Sequence, residues 1–150
     1  MANQETEFAK DGRRRAAQLM KRILIGVRGQ LDEQLRPQGT TSAQLALLRA
    51  IQQSPKSSGA QLARSCHITP QTIQTLIKRA EESGWIVRGK DKVNDRILTA
   101  SLTPAGEKLL KTADKAVKIV EARLWQGIPA NSIAALNDVL VQCLKNIEPK

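Results

Sequence analysis

Apolar residues recur every three or four positions through residues 8–35. Ala16, Met20, Ile23, Leu24, Val27, Leu31 and Leu35 make one stripe, the signature of an amphipathic helix. Arg14, Lys21, Arg22 and Arg28 lie on the opposite face, and Pro37 and Gly39 end the helix. A second helix is predicted over 43–53, capped by Thr41 or Ser42, with Leu45, Leu48 and Ile51 inward. Residues 54–58 read as a loop, with Ser58 the cap of a short third helix over 59–64. Thr69-Pro70 pairs a cap residue with proline at the first helical position, a strong start for a fourth helix that runs to about Ser83 and ends at Gly84. Residues 85–88 and 98–102 read as two strands with a basic loop, 89–96, between them. Thr103-Pro104 repeats the start signal for a fifth helix reaching about Trp125. Its apolar face is Leu109, Leu110, Ala113, Ala116, Val117, Val120 and Leu124, and Gly127 and Pro129 break it. A last helix over 132–147 is expected to bury Leu136, Leu140, Leu144 and Ile147.

The order helix, turn, helix, hairpin predicts a winged helix-turn-helix. The fold class is mainly α with a small β-hairpin wing (α+β). The first and last helices lie outside that element, and each carries an apolar stripe that a small lobe cannot cover alone. A homodimer covers both.

Composition adds a partner. The 150 residues carry 24 Lys and Arg against 14 Asp and Glu, a net charge of +10. Such an excess favours a polyanion, most often nucleic acid; the competing reading is a merely basic protein. Eight Lys/Arg against four Asp/Glu fall in residues 56–96, so part of the excess sits on the proposed DNA element. Aromatic residues make up 2%, with no Tyr. Single-stranded nucleic acid needs aromatic faces for stacking, so duplex DNA is the better fit. No apolar run reaches the roughly 20 residues of a membrane span, and residues 1–7 lack the order of a signal peptide. The expectation is a soluble cytoplasmic protein without a membrane partner. One His and two distant cysteines, Cys66 and Cys143, provide no zinc site of ordinary ligand count within one chain, and no metal or other cofactor is expected.

With Ile73, Leu76, Ile77 and Ala80 inward, the fourth helix turns Gln71, Thr72, Gln74, Thr75, Lys78 and Arg79 outward. Gln can pair with adenine through two hydrogen bonds, and Thr can touch a thymine methyl or a phosphate. Lys78 and Arg79 suit phosphates beside the groove. The bland alternative is an ordinary solvated helix face. In the wing loop Lys90, Lys92 and Arg96 can straddle phosphates, with Arg96 entering a narrow minor groove. Against that, Asp91 or Asp95 can neutralise Arg96 in a solvated loop. Ser58 and Thr69 cap helices whose N-termini favour a phosphate, and Arg64 is a weaker candidate. His67 reads as a turn or phosphate-contact residue. Cys66 reads as a small packed residue, with a redox-sensing thiol the alternative. Cys143 is expected in the core. Trp85 and Trp125 are expected to pack.

Together these motifs resemble the MarR family of bacterial and archaeal transcription regulators. The resemblance runs over nearly the whole chain. Its most specific parts are Leu31-x-x-x-Leu35-x-Pro37-x-Gly39-Thr40-Thr41-x-x-Gln44, the helix-turn-helix, Gly84-Trp85-Ile86-Val87-Arg88, the loop 90–96, and Leu102-Thr103-x-x-Gly106. It implies a single chain organised as a helical dimerisation lobe, residues 8–36 and 104–148, and a winged DNA-binding lobe, residues 41–103. It also implies a triangular homodimer whose fourth helices enter successive major grooves of a pseudo-palindromic operator. Members usually repress nearby genes, and small aromatic acids, oxidants or other effectors release them. The family wing usually has Asp-x-Arg; here Asn94-Asp95-Arg96 puts Asn at the acidic position. The function expected is a dimeric, sequence-specific duplex-DNA regulator, a repressor relieved by an effector. The alternatives are an architectural protein that coats duplex without sequence choice and a winged module that binds protein. No catalytic constellation appears, and an enzyme is not expected.

Overall fold

A computed structural model describes residues 12–149. The first helix, α1, spans Arg13–Leu35; residues 8–11, its expected first turn, lie outside the described residues. A single 3-10 turn, Arg36–Gln38, leads to Gly39, whose φ of 69° is in the left-handed region. Next come α2 (Ser42–Gln53), β1 (Ser57–Ser58), α3 (Gly59–Ser65) and α4 (Pro70–Glu82). The strands β2 (Ile86–Lys90) and β3 (Leu98–Leu102) follow, then α5 (Pro104–Leu124) and α6 (Ala130–Ile147). The chain is mainly helical with one small sheet, the fold class the sequence predicts.

Caps fix most of these starts. Thr41 Oγ1 accepts the Gln44 N–H, so Thr41 rather than Ser42 caps α2. Ser58 and Gln61 form a reciprocal capping box at α3, and Thr69 Oγ1 accepts the Thr72 N–H at α4. The α3–α4 turn closes with two bonds, His67 N–H to the Arg64 carbonyl and Ile68 N–H to the Ala63 carbonyl. This is a Schellman closure, and its left-handed position is usually glycine. Here His67 occupies it at φ 53°, which accounts for the lone histidine as a turn residue.

The sheet has the order β1-β3-β2, antiparallel throughout. Ile86 faces Leu102 and Lys90 faces Leu98 across the hairpin, while Ser57 faces Ala100. Two boundaries differ from the sequence reading. The segment 54–58, read wholly as loop, contributes β1, because Ser57 and Ser58 pair with the distant Ala100 and Thr99. The strand β2, expected over 85–88, begins after Trp85 and runs on through Gly89 and Lys90, so the wing loop is 91–97 rather than 89–96.

The described chain divides into two compact units, one reaching Val120 and one beginning at Glu121. In the first, Leu35, Leu47, Leu48, Ile51, Leu62, Ile73, Ile77 and Ile86 are the largest buried apolar side chains. Leu109, Leu110, Ala113 and Ala116 of α5 join the same cluster. Gly106 lets α5 lie directly on the Trp85 carbonyl, where a Cβ would collide with backbone. The Thr103 N–H donates to that same carbonyl, and the Thr103 hydroxyl donates to the Gly84 carbonyl at 2.6 Å. This junction ties the end of α4, the base of the wing and the start of α5 together.

Leu31 and Leu35 of the α1 stripe are packed, but Met20, Ile23 and Leu24 are 44–50% exposed. In the second unit no residue of α6 is buried. Leu136, Leu144 and Ile147, expected inward, are exposed, Leu140 is only half-buried, and Cys143, expected in the core, is exposed. An 18-residue helix with an apolar stripe has nothing in its own unit long enough to cover it. No described helix is long and apolar enough to cross a membrane.

Two substitutions probe these joints by urea denaturation. Gly106→Ala is expected to lose about 1–3 kcal/mol, the usual penalty of overpacking. His67→Val, a β-branched side chain in the left-handed region, is expected to lose about 1–2 kcal/mol, whereas His67→Gly loses none.

Candidate nucleic-acid interface

The inner face of α4 is apolar and closed: Ile73, Ile77 and Ala80 are buried and Leu76 is half-buried. The outer face is therefore fixed by rotation. Gln71, Thr72, Gln74, Thr75, Lys78 and Arg79 are all exposed, as the period of the helix requires. A buried amide contributes to the seating: Gln44 of α2 donates from Nε2 to the Leu76 carbonyl at 3.2 Å.

The six outward residues are not equally free. The Thr69 hydroxyl donates to Thr72 Oγ1 at 2.9 Å. The Thr75 hydroxyl donates back to the Gln71 carbonyl at 3.3 Å, which leaves its methyl and lone pairs to the outside. Gln74 leans across the start of α3, with Nε2 only 2.6 Å from where a Cβ on Gly59 would stand. Ser58, Gly59 and Gln74 are thus brought together, and so are Thr69 and Thr72. Arg64 lines a depression with Ser54, Ser57, Gln61 and Ser65. Arg79 lines a depression with Asp32, Arg36, Gly39, Thr40 and Thr41, to which no other α4 candidate contributes.

The wing has its own internal order. Asp91 Oδ1 accepts the N–H groups of Val93 and Asn94, at 2.7 and 3.3 Å. Asn94 Oδ1 accepts the Arg96 N–H at 3.2 Å. Asp91 and Asn94 are thereby spent on the loop backbone. Among the described residues no ion pair joins Arg96 to Asp91 or Asp95. The Asn at the acidic position still steadies the arginine, through the main chain instead of the guanidinium.

Sequence reasoning missed two cations that the sheet assembles. Lys56, Arg88, Lys90 and Lys92 surround a depression of about 360 Å³ with Asp91, Thr99 and Ser101. Arg88, Lys90 and Lys92 recur at every second residue, a strand-face signal that was present in the sequence. Lys56 joins them only because its N–H bonds to the Ala100 carbonyl, 44 residues on, and no local pattern announces that.

Cys66 is half-buried, its Sγ 3.9 Å from the Ala46 carbonyl. Burial pushes its thiol pKa up, which disfavours the thiolate that an oxidant sensor needs; the packed reading is the one that fits. Among the described residues, no cluster of His, Cys, Asp and Glu could hold a metal ion.

Comparison with known proteins agrees with this geometry. A family profile described as MarR family matches residues 38–97. The HTH-type transcriptional repressor Rv2887 of Mycobacterium tuberculosis is 34% identical over 112 residues, covering 75% of this chain and 81% of the repressor. The chain belongs to the MarR family. It is accordingly a transcription regulator rather than an enzyme. Among solved structures, Rv2887 in complex with salicylic acid is 30% identical, with a TM-score of 0.66, over 83% of this chain and 93% of that one. A mutant MarR from E. coli complexed with operator DNA has a TM-score of 0.79 at 20% identity, over 85% of this chain and 92% of that one; this second likeness shows the fold alone.

Asn94→Ala removes the bond on the Arg96 amide. In ¹⁵N relaxation, the order parameter at Arg96 is expected to drop below about 0.6, the flexible range. Global stability should change by less than about 0.5 kcal/mol, as for a surface site.

Proposed function

We propose that this MarR-family regulator is a homodimer that binds a specific duplex operator and represses transcription until a small effector releases it. The observation that carries the DNA reading is the closed inner face of α4. It leaves an amide, hydroxyl and basic face outside, bounded by two capped helix starts at Ser58 and Thr69. In this reading Gln71, Gln74, Thr72 and Thr75 address base edges and methyls. Ser58, Thr69, Lys78, Arg79 and, more peripherally, Arg64 meet the backbone. The wing follows the adjoining phosphates with Lys90, Lys92 and Arg96. Lys56 and Arg88 lie in the same basic group and extend that path.

The dimer reading is supported by apolar surface that each unit leaves bare: Met20, Ile23 and Leu24 on α1, and Leu136, Val139, Leu144 and Ile147 on α6. Contiguous apolar faces of this sort mark association surfaces. A two-fold dimer would place its two α4 helices against half-sites about one helical turn apart. Repression is supported by the name of the 34%-identical relative, and effector control by that relative's complex with salicylic acid.

Fluorescence anisotropy tests the DNA reading, using duplex from the flank of the protein's own gene against scrambled duplex at physiological salt. A gap of about 10³ or more is expected. Equal weak binding to this duplex, and to duplexes selected from random pools, would instead favour architectural coating. In the same assay Arg96→Ala should weaken binding to every sequence and lower the salt slope by about 1; an unchanged slope removes Arg96 from the contacts. Sedimentation equilibrium tests the dimer. The wild-type chain should be a dimer at micromolar concentration and Leu24→Asp largely a monomer, while a monomeric wild type refutes the assembly.

A further inference from the structure

We propose that Gly59 sets the base preference at one operator position, by seating the carboxamide of Gln74 against the start of α3. This rests on the reading of α4 as the DNA-facing helix. Gly59 is the first residue of α3, directly after the Ser58 cap. Its backbone does not call for glycine, since its φ is not positive. At a position of that kind alanine is normally the more stable residue, because it restricts the unfolded chain. The missing side chain is explained by what stands in its place.

That neighbour is Gln74. An ideal Cβ on Gly59 would lie 2.6 Å from Gln74 Nε2 and 3.8 Å from Gln74 Cδ. The third neighbour, Ile77 Cδ1, lies 3.9 Å away, an ordinary contact. A methyl at 59 therefore collides with one thing only, the far end of a flexible side chain on the outer face of α4. The helices need not move apart; the carboxamide must leave.

The carboxamide has a use for a fixed place. Thr72 and Thr75 have their hydroxyls engaged within the chain. The exposed Gln74 carboxamide has no hydrogen-bond partner among the described residues, so its donor and acceptor are both open to an adenine edge. Glutamine has more rotamer freedom to lose than most side chains. Packing against Gly59 removes part of that freedom before DNA arrives and fixes the side from which the amide approaches. Preorganisation of this kind raises affinity for the one edge that fits. Gly59 has no side chain to offer a base; it is a positioning residue that acts through Gln74.

The test uses the full chain as wild type, Gly59→Ala, Gln74→Ala and the double variant. Without DNA, ¹H–¹⁵N spectra follow the side-chain NH2 pair of Gln74, identified by its loss in Gln74→Ala. The pair is expected to shift in Gly59→Ala, with a melting temperature no lower than that of the wild type. An unmoved pair, or a lower melting temperature, means that something other than the carboxamide yields, and overturns the seating. Each protein then selects duplexes from a random pool. The wild type is expected to prefer adenine about tenfold at one position of each half-site, the discrimination of a bidentate pair. Gly59→Ala should remove that preference at the same position as Gln74→Ala does, with every other position and the salt slope unchanged. The double variant should match Gln74→Ala. A preference in Gly59→Ala equal to that of the wild type, a change at positions that Gln74→Ala leaves alone, or a further loss in the double variant overturns the proposal and leaves the reading of α4 intact. A wild type that enriches no sequence overturns that reading itself, and the role of Gly59 falls with it even where the NH2 pair has shifted.

Discussion

Ile73, Ile77 and Ala80 are held against α2, α3 and the sheet, and that burial fixes the rotation of α4 about its own axis. Fully burying two isoleucines contributes about 3–6 kcal/mol. Turning the helix by one residue, about 100°, would forfeit most of it, far more than any exposed charge on α4 could return. Everything on the outer face follows from this. Gln71, Thr72, Gln74 and Thr75 line the leading half, the cations fall behind them, and none is chosen independently of the core beneath. The Gln44 amide, bonded to the Leu76 carbonyl, adds a directional constraint to the non-directional apolar one.

The same logic explains the wing. Its root is pinned by the contact of Gly106 with the Trp85 carbonyl and by the two bonds of Thr103. Its tip is stiffened by Asp91 and Asn94 acting on backbone N–H groups. Acidic and amide side chains in a basic loop look like charge dilution on paper. Here they hold the loop's shape, and no described residue forms an ion pair with Arg96. A wing so built presents its cations from a defined frame, which lowers the entropy lost when a long side chain binds a phosphate.

Local signals carried much of this fold into the sequence. Cap and proline pairs at Thr69-Pro70 and Thr103-Pro104, the Ser58 cap, and left-handed glycines at 39 and 84 set the helix boundaries to within a residue or two. The inner face of α4 followed from its period. What escaped was non-local. β1 exists only because Ser57 and Ser58 meet Ala100 and Thr99, and Lys56 reaches the wing by the same route. The α6 stripe is legible as apolar, but an apolar stripe does not say which chain covers it, so the sequence points Leu136, Leu144, Ile147 and Cys143 inward where they are exposed. The depression at Thr40 was invisible for a related reason: Arg36 and Arg79 are 43 positions apart and meet only in the folded chain.

The central claim is that two copies of α4 are presented together to successive major grooves of one duplex. Missing-nucleoside and methylation-interference footprinting on a selected high-affinity duplex tests it most directly. The account predicts two interference clusters at major-groove positions, related by a pseudo-dyad and about 10 bp apart. A single cluster, or even protection without period along the duplex, would contradict it.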